Sequence, residues 1–269
     1  MKGPSGYSLY IGDRYLHRLV NSYKSHSMNI DGCIRMIVKD ERYICIAALR
    51  LIKRSVKYSY LQEVLKIPAP VLWRYIAGIV RPTRERASEI LRTLIEKGVV
   101  RDIIARELRF VDGNVVDMYS LVYRTDILWL ASIEAYYRFK DERIDVALTT
   151  EVDGIPIALA VASTLDLDLV VAKRRKELGF SEFYEETYFS RDPPSLVTLY
   201  VPKEGLKKGS RVLIVDDLLR SGRTLRALIN IVRNAKADLA GIFSLVSIGN
   251  EWRETIKDLN VRTVILVSK

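Results

Sequence analysis

The sequence predicts an α/β protein in two parts: an N-terminal all-α region built on a helix-turn-helix, then a parallel sheet flanked by helices. Three observations predict this. The run Val212-Leu213-Ile214-Val215 is continuously apolar and branched, as in a strand buried on both faces of a parallel sheet. After residue 111, further runs of this kind alternate with apolar-periodic helices. Before residue 110, apolar residues recur at helical spacing in short segments separated by turns.

The length of 269 residues suits one large domain or two smaller ones. Three parts are expected: an extension over 1–35, a helix-turn-helix domain over 36–110 and an α/β ligand domain over 111–269. No apolar run is long enough to span a membrane, and no signal-like pattern opens the chain, so a cytoplasmic protein without a membrane partner is expected. The two cysteines, Cys33 and Cys45, form no metal or disulfide spacing and read as reduced thiols. Charge is uneven. Residues 1–110 carry 21 Lys and Arg against 10 Asp and Glu, whereas the remainder carries 22 against 23. A basic front half on a neutral back half suggests a polyanion binder joined to something else.

Taken in order, Glu41 starts a helix with Ile44, Ala48, Leu51 and Ile52 on one face and Arg50, Lys53 and Arg54 opposite. Ser59 is expected to cap a second helix carrying Leu61, Val64 and Leu65. Ile67-Pro68 makes a turn. Pro70 opens a third helix that stops near Gly78, with Leu72, Tyr75, Ile76 and Ile79 inward. Thr83 then caps a fourth helix through Ala87, Ile90, Leu91 and Leu94. Two short helices joined by a brief turn and braced by longer ones match the helix-turn-helix plan. Val71, Trp73 and Arg74 lie opposite the core side of the third helix, with Arg81 and Arg84 just beyond. A Trp beside an Arg on that face favours duplex DNA, Trp73 and Arg74 reading bases and Arg81 and Arg84 gripping phosphates. Helical packing or dimerisation is the alternative for this region.

In the second part, Ile127 to Tyr137 is helical and Ile144 to Thr149 is a buried strand. Glu151-Val152-Asp153-Gly154 then forms a turn into a small apolar helix, an anion seat made of backbone amides. Leu167 to Ala172 is a third strand leading into Lys173-Arg174-Arg175-Lys176, which suits a diphosphate or is a solvated basic loop. Strands at 196–201, 211–216, 239–248 and 261–267 are expected to complete the sheet.

The chemistry concentrates at Val212 to Thr224. The strand feeds Asp216 and Asp217, then a short loop through Leu218, Leu219, Arg220, Ser221, Gly222, Arg223 and Thr224 into a helix. Gly222 lets the backbone approach an anion, and the Ser221 and Thr224 hydroxyls can donate to it. The two carboxylates would repel phosphate directly, so their expected role is accepting hydrogen bonds from a pair of sugar hydroxyls. Together these features call for a ribose 5-phosphate.

The stretch VLIVDDLLRSGRT resembles the phosphoribosyl-pyrophosphate (PRPP) signature of type I phosphoribosyltransferases, with Arg220 and Arg223 where a small residue and Gly are usual. That resemblance implies the type I phosphoribosyltransferase fold. It gives Asp216 and Asp217 the ribose 2- and 3-hydroxyls, residues 218–224 the 5-phosphate, and Glu151 to Gly154, Lys173 and Arg174 the pyrophosphate. It also implies dimerisation, and Mg²⁺ arriving with PRPP instead of as a tightly held metal. Phe180 to Pro194 looks like the mobile hood loop of these enzymes, but is acidic, with Arg191 its one cation. LQEVLKIPAPVLWRYIAGIVRPT in turn is similar to the DNA-binding modules of archaeal regulators. The whole plan resembles regulators that join a helix-turn-helix to a phosphoribosyltransferase-like domain, as bacterial purine repressors do in outline. Such a protein would be a homodimer binding operator DNA, with PRPP or a nucleotide as effector. The alternative is an active purine or pyrimidine phosphoribosyltransferase with an accessory N-terminal domain.

Overall fold

The structure, a computed structural model, describes residues 40–111, 115–191 and 193–269; the N-terminal extension lies outside them. Asp40 caps the first helix, α1 (Glu41–Ser55), by accepting the Arg42 N–H at 3.0 Å. Helix α2 (Tyr58–Leu65) follows with Lys57 at its cap position. Ser59 therefore sits inside the helix and does not cap it. Helix α3 (Ala69–Ala77) has Pro70 in its first turn and ends at Gly78, whose φ of 75° continues the chain without the strain a side chain would meet. Because the helix stops there, Ile79 leaves the expected core face and is 61% exposed. Thr83 caps α4 (Arg84–Glu96), accepting the Arg86 N–H at 3.2 Å, and α5 (Val99–Glu107) follows Gly98.

A short ribbon of β1 (Phe110–Val111) and β2 (Val115–Val116) and the single turn α6 (Tyr119–Val122) lead into α7 (Thr125–Phe139). Then come β3 (Val146–Thr150), α8 (Gly154–Leu165), β4 (Asp168–Ala172), β5 (Phe183–Arg191) and β6 (Pro194–Pro202). The chain finishes with β7 (Arg211–Leu219), α9 (Arg223–Asn234), β8 (Asp238–Ser247), α10 (Arg253–Ile256) and β9 (Arg262–Ser268). Five strands form a fully parallel sheet in the order β4-β3-β7-β8-β9.

One expectation is corrected here. Residues 196–201 do not join the main sheet. They belong to β6, which pairs antiparallel with β5 as a separate hairpin, so most of the expected hood loop is strand. The reason is a period of two: Tyr184, Glu186, Tyr188 and Ser190 are half-buried while Glu185, Thr187, Phe189 and Arg191 are exposed.

Alternation along β7 builds the two layers of core. Leu213 and Val215 pack with α7, α8 and the helices of residues 41–104, while Val212 and Ile214 pack with α9 and the hairpin residues Leu199 and Val201. The N-terminal helices thus share a core with the sheet. Helix α1 packs on α7, α5 packs on β9, and residues 39–269 form one compact unit. Within α1, burial pushes the Cys45 thiol up to about 12, which keeps it an apolar filler without reactivity.

Phe139, fully buried at the end of α7, fills the space that Gly241 of β8 leaves open; a Cβ on that glycine would stand 2.5 Å from the ring. Gly241→Ala should therefore lower unfolding stability by about 1–3 kcal/mol. An unchanged urea midpoint would contradict this packing.

Candidate functional site

The parallel register sets Val146 beside Val212 and Leu148 beside Ile214, so β3 and β7 end next to each other at their carboxyl ends. That is the edge where open α/β sheets bind ligands. Strand β7 runs further than expected. It carries Asp216 and Asp217 within it and pairs with β8 as far as Leu219 and Ser247. The loop proper is only Arg220, Ser221 and Gly222. Gly222 has a φ of 73°, and its backbone lies so close to α10 that a Cβ would be 2.6 Å from Thr255 Oγ1. Thr255 in turn donates to the Gly222 carbonyl at 3.3 Å, fixing the loop that opens α9.

Gly154, the first residue of α8, is where the parts meet. A Cβ there would lie 2.4 Å from Thr149 Oγ1, 3.4 Å from Asp216 Oδ1 and 3.8 Å from Asp217 Oδ1. A bare backbone thus separates the turn after β3 from both carboxylates. Thr149 Oγ1 is buried beside it and has no hydrogen-bond partner among the described residues.

Asp216 is buried and Asp217 half-buried. Burial, reinforced by its neighbour's charge, holds the Asp216 carboxyl well above the usual carboxylate range, and burial also raises Asp217. The Asp217 N–H donates to Asp216 Oδ1 at 3.1 Å. The pair therefore awaits donors, which sugar hydroxyls or a cation would supply.

The turn after β3 and the basic segment after β4 come together as the sequence suggests. A cavity of about 320 Å³ is lined by Thr150, Glu151, Val152, Asp153, Gly154, Arg174 and Asp217. Their roles differ in detail. Glu151 accepts the Arg174 N–H at 2.8 Å and ties the two loops together; its peptide bond to Val152 is cis. Val152 is 65% exposed at the rim. Lys173 is engaged by Glu177 at 2.8 Å and does not line this cavity. Leu218 is half-buried, Leu219 packs beneath the loop, and Arg220 is exposed. Thr224 Oγ1 donates to the Tyr188 hydroxyl at 3.2 Å, and Arg223 Nη1 to the Phe189 carbonyl at 3.3 Å, so the hairpin rests on the start of α9. The hairpin acids are occupied as well: Glu182 by Lys203, Glu185 by Lys176 and Glu186 by Asn230.

One participant went unread in the sequence. Tyr123 donates to Asp153 Oδ1 at 2.8 Å, and that carboxylate raises its pKa. Thirty positions separate the two, and no periodic or motif signal links them. For a metal, no group of three or more ligating side chains occurs among the described residues. The Asp216–Asp217 pair offers the oxygen ligands that suit Mg²⁺ when a ligand supplies the rest.

On the helical half, Trp73 is 51% exposed, with Arg74 exposed beside it and Ile79 and Val80 extending the open patch. Val71 is half-buried against the helical core. Arg81 donates to the Tyr43 hydroxyl at 2.9 Å with its guanidinium over that ring, and Arg84 is exposed. Arg50 donates to the Ile76 carbonyl at 2.7 Å and so joins α1 to the end of α3.

Comparison with known proteins matches residues 129–267 to the phosphoribosyl transferase domain. Over 198 residues, 74% of this chain, the sequence is 28% identical to the purine biosynthesis transcriptional repressor PurR of Bacillus subtilis, about two thirds (67%) of whose length is covered. It is 33% identical over 170 residues to xanthine phosphoribosyltransferase 1 of Clostridium perfringens, covering 61% of this chain and 89% of that one. In fold, adenine phosphoribosyltransferase from Rhodothermus marinus superposes with a TM-score of 0.56 at 20% identity, over 63% of this chain and 98% of that one. With a five-stranded parallel sheet and the family's domain matched over residues 129–267, more than half its length, the chain belongs to the phosphoribosyl transferase domain family.

Proposed function

We propose that this protein is a DNA-binding transcriptional regulator whose phosphoribosyltransferase-like domain takes PRPP or a nucleotide as effector. The chain then divides by role near residue 110, a helix-turn-helix over 36–110 binding operator DNA and residues 111–269 sensing the ligand. The observation that carries this reading is the exposed Trp73–Arg74 face on helices that share a core with the ligand-binding sheet. The excess of cations in residues 1–110 and the 198-residue match to a repressor support it. Asp216 and Asp217 would accept the sugar hydroxyls, residues 218–224 would donate backbone amides to the 5-phosphate, and Mg²⁺ would travel with a diphosphate ligand. A homodimer would present two recognition helices to a pseudo-palindromic site.

A second reading is an active transferase. The intact carboxylate pair and turn favour it, as does the match along 89% of a xanthine phosphoribosyltransferase. Against it stands the hairpin, whose acids are engaged and which brings only Arg191 as a cation of its own. Pyrophosphate release from PRPP with purine or pyrimidine bases at about 1 per second would establish the enzyme.

Two outcomes follow. An acid whose folded pKa is raised holds its proton more tightly when folded, so the stability that proton confers is lost as pH rises above the ordinary carboxylate range. Asp216→Asn should therefore melt higher than the wild type at neutral pH without ligand. The difference should shrink toward about pH 4, where the unfolded acid is itself half protonated. The same variant should bind PRPP more weakly, losing about 1.5–3 kcal/mol with each charge-assisted bond. A variant that melts lower at neutral pH, or binds PRPP as tightly as wild type, would contradict the assigned role.

For DNA, Arg74→Ala should reduce discrimination between an operator and unrelated duplex by about 1–3 kcal/mol in anisotropy titrations. Arg84→Ala should instead weaken all duplexes alike and flatten the salt dependence. Identical operator preference after Arg74→Ala would remove that residue from base readout.

A further inference from the structure

A second concavity adjoins the phosphate loop and shares no lining residue with the cavity at the Glu151–Gly154 turn. It occupies about 320 Å³ between the hairpin and α9 and shares Ser221 and Arg223 with the loop. Arg223, Arg226 and Asn230 stand at i, i+3 and i+7 of α9 and so line one helix face, while Arg191 closes the groove from the end of β5. Two carboxylates share the wall. Glu186 is taken up by the Asn230 side-chain amide at 2.6 Å, which leaves Glu251 facing three guanidiniums. Among the described residues neither Arg191 nor Arg226 has an ion-pair partner, and Arg223 spends one N–H on the Phe189 carbonyl. Unpaired guanidiniums converging from two elements on one concavity recognise phosphoryl oxygens better than any neutral group.

We propose that this groove is a second anion subsite, contiguous with the phosphate loop, that receives a further phosphoryl group of the effector. The proposal rests on the reading of residues 218–224 as the 5-phosphate seat. It narrows the ligand class to a sugar or nucleoside 5-diphosphate, with the outer phosphoryl held by Arg191, Arg223 and Arg226. The Arg at position 223, where the phosphoribosyltransferase signature has Gly, then has a purpose: it belongs to both seats. Because Arg191 comes from the hairpin and the other two from α9, the outer phosphoryl also fastens the hairpin end to the helix. The Thr224–Tyr188 and Arg223–Phe189 contacts already begin that attachment.

The test is calorimetric titration of the full chain with AMP and with ADP in the absence of Mg²⁺, which holds base and sugar constant. The wild type should bind ADP on the order of ten-fold more tightly than AMP, the low end of one charge-assisted hydrogen bond converted to affinity. Arg191→Gln combined with Arg226→Gln should bring ADP to the affinity of AMP while leaving AMP binding unchanged. Equal affinities for the two nucleotides in the wild type overturn the subsite, and so does an ADP preference that survives in the double variant. If neither nucleotide binds the wild type, the 5-phosphate reading falls and takes the subsite with it.

Discussion

The α/β half converges on a point where no side chain fits. Gly154 lies so near Thr149 Oγ1 and the two aspartate carboxylates that a Cβ there would collide with the threonine hydroxyl and press on the carboxylates. That closeness follows from the parallel register, which brings the ends of β3 and β7 side by side, and from α8 starting directly at the turn. The glycine thereby links two segments that are far apart in the sequence, the turn after β3 and the carboxylate pair of β7.

The electrostatics of that point are unfavourable without a ligand. Burial raises the proton affinity of both adjacent carboxylates, Asp217 raises that of Asp216 further, and the protein supplies them few donors of its own. The fold tolerates this because β7 is held by neighbours on both sides and by core on both faces. Under the proposed function, stability foregone in the unliganded state would become selectivity for a molecule with paired hydroxyls or a bound cation. The N-terminal helices share the core that braces this strand. Such contiguity is the physical condition for coupling, though a measured linkage is what establishes it.

Much of this was legible in the sequence because local rules govern it. The apolar run at 212–215, the aspartate pair, the Gly78 stop and the Thr83 cap each depend on a few consecutive residues. What escaped reading depends on tertiary partners. The sequence of β5 reads as a loop because its half-buried residues, Tyr184, Glu186, Tyr188 and Ser190, are not aliphatic, and its pairing partner is needed before the period of two has meaning. Ile79 fits the helical spacing but comes after the glycine that ends the helix, so periodicity alone misplaces it. Ser59 is a good capping residue two positions too late, since Lys57 holds the cap position and Tyr58 already begins α2. The Tyr123–Asp153 bond and the occupation of the hairpin acids by Lys176, Lys203 and Asn230 join residues that only the fold makes neighbours.

The central claim is that ligand occupancy at the carboxyl ends of β3 and β7 changes how the helical half holds DNA. Its most direct test is a fluorescence-anisotropy titration of the full chain against the duplex upstream of its own coding sequence, without ligand and with saturating PRPP, AMP or ADP. The account predicts sequence-specific binding whose midpoint moves by about 1–3 kcal/mol with at least one of these ligands, the usual size of an allosteric coupling. That shift should vanish when Asp216 and Asp217 are both replaced by Asn. Binding no tighter than to unrelated duplex at any salt concentration, or specific binding that none of the ligands moves, would contradict it.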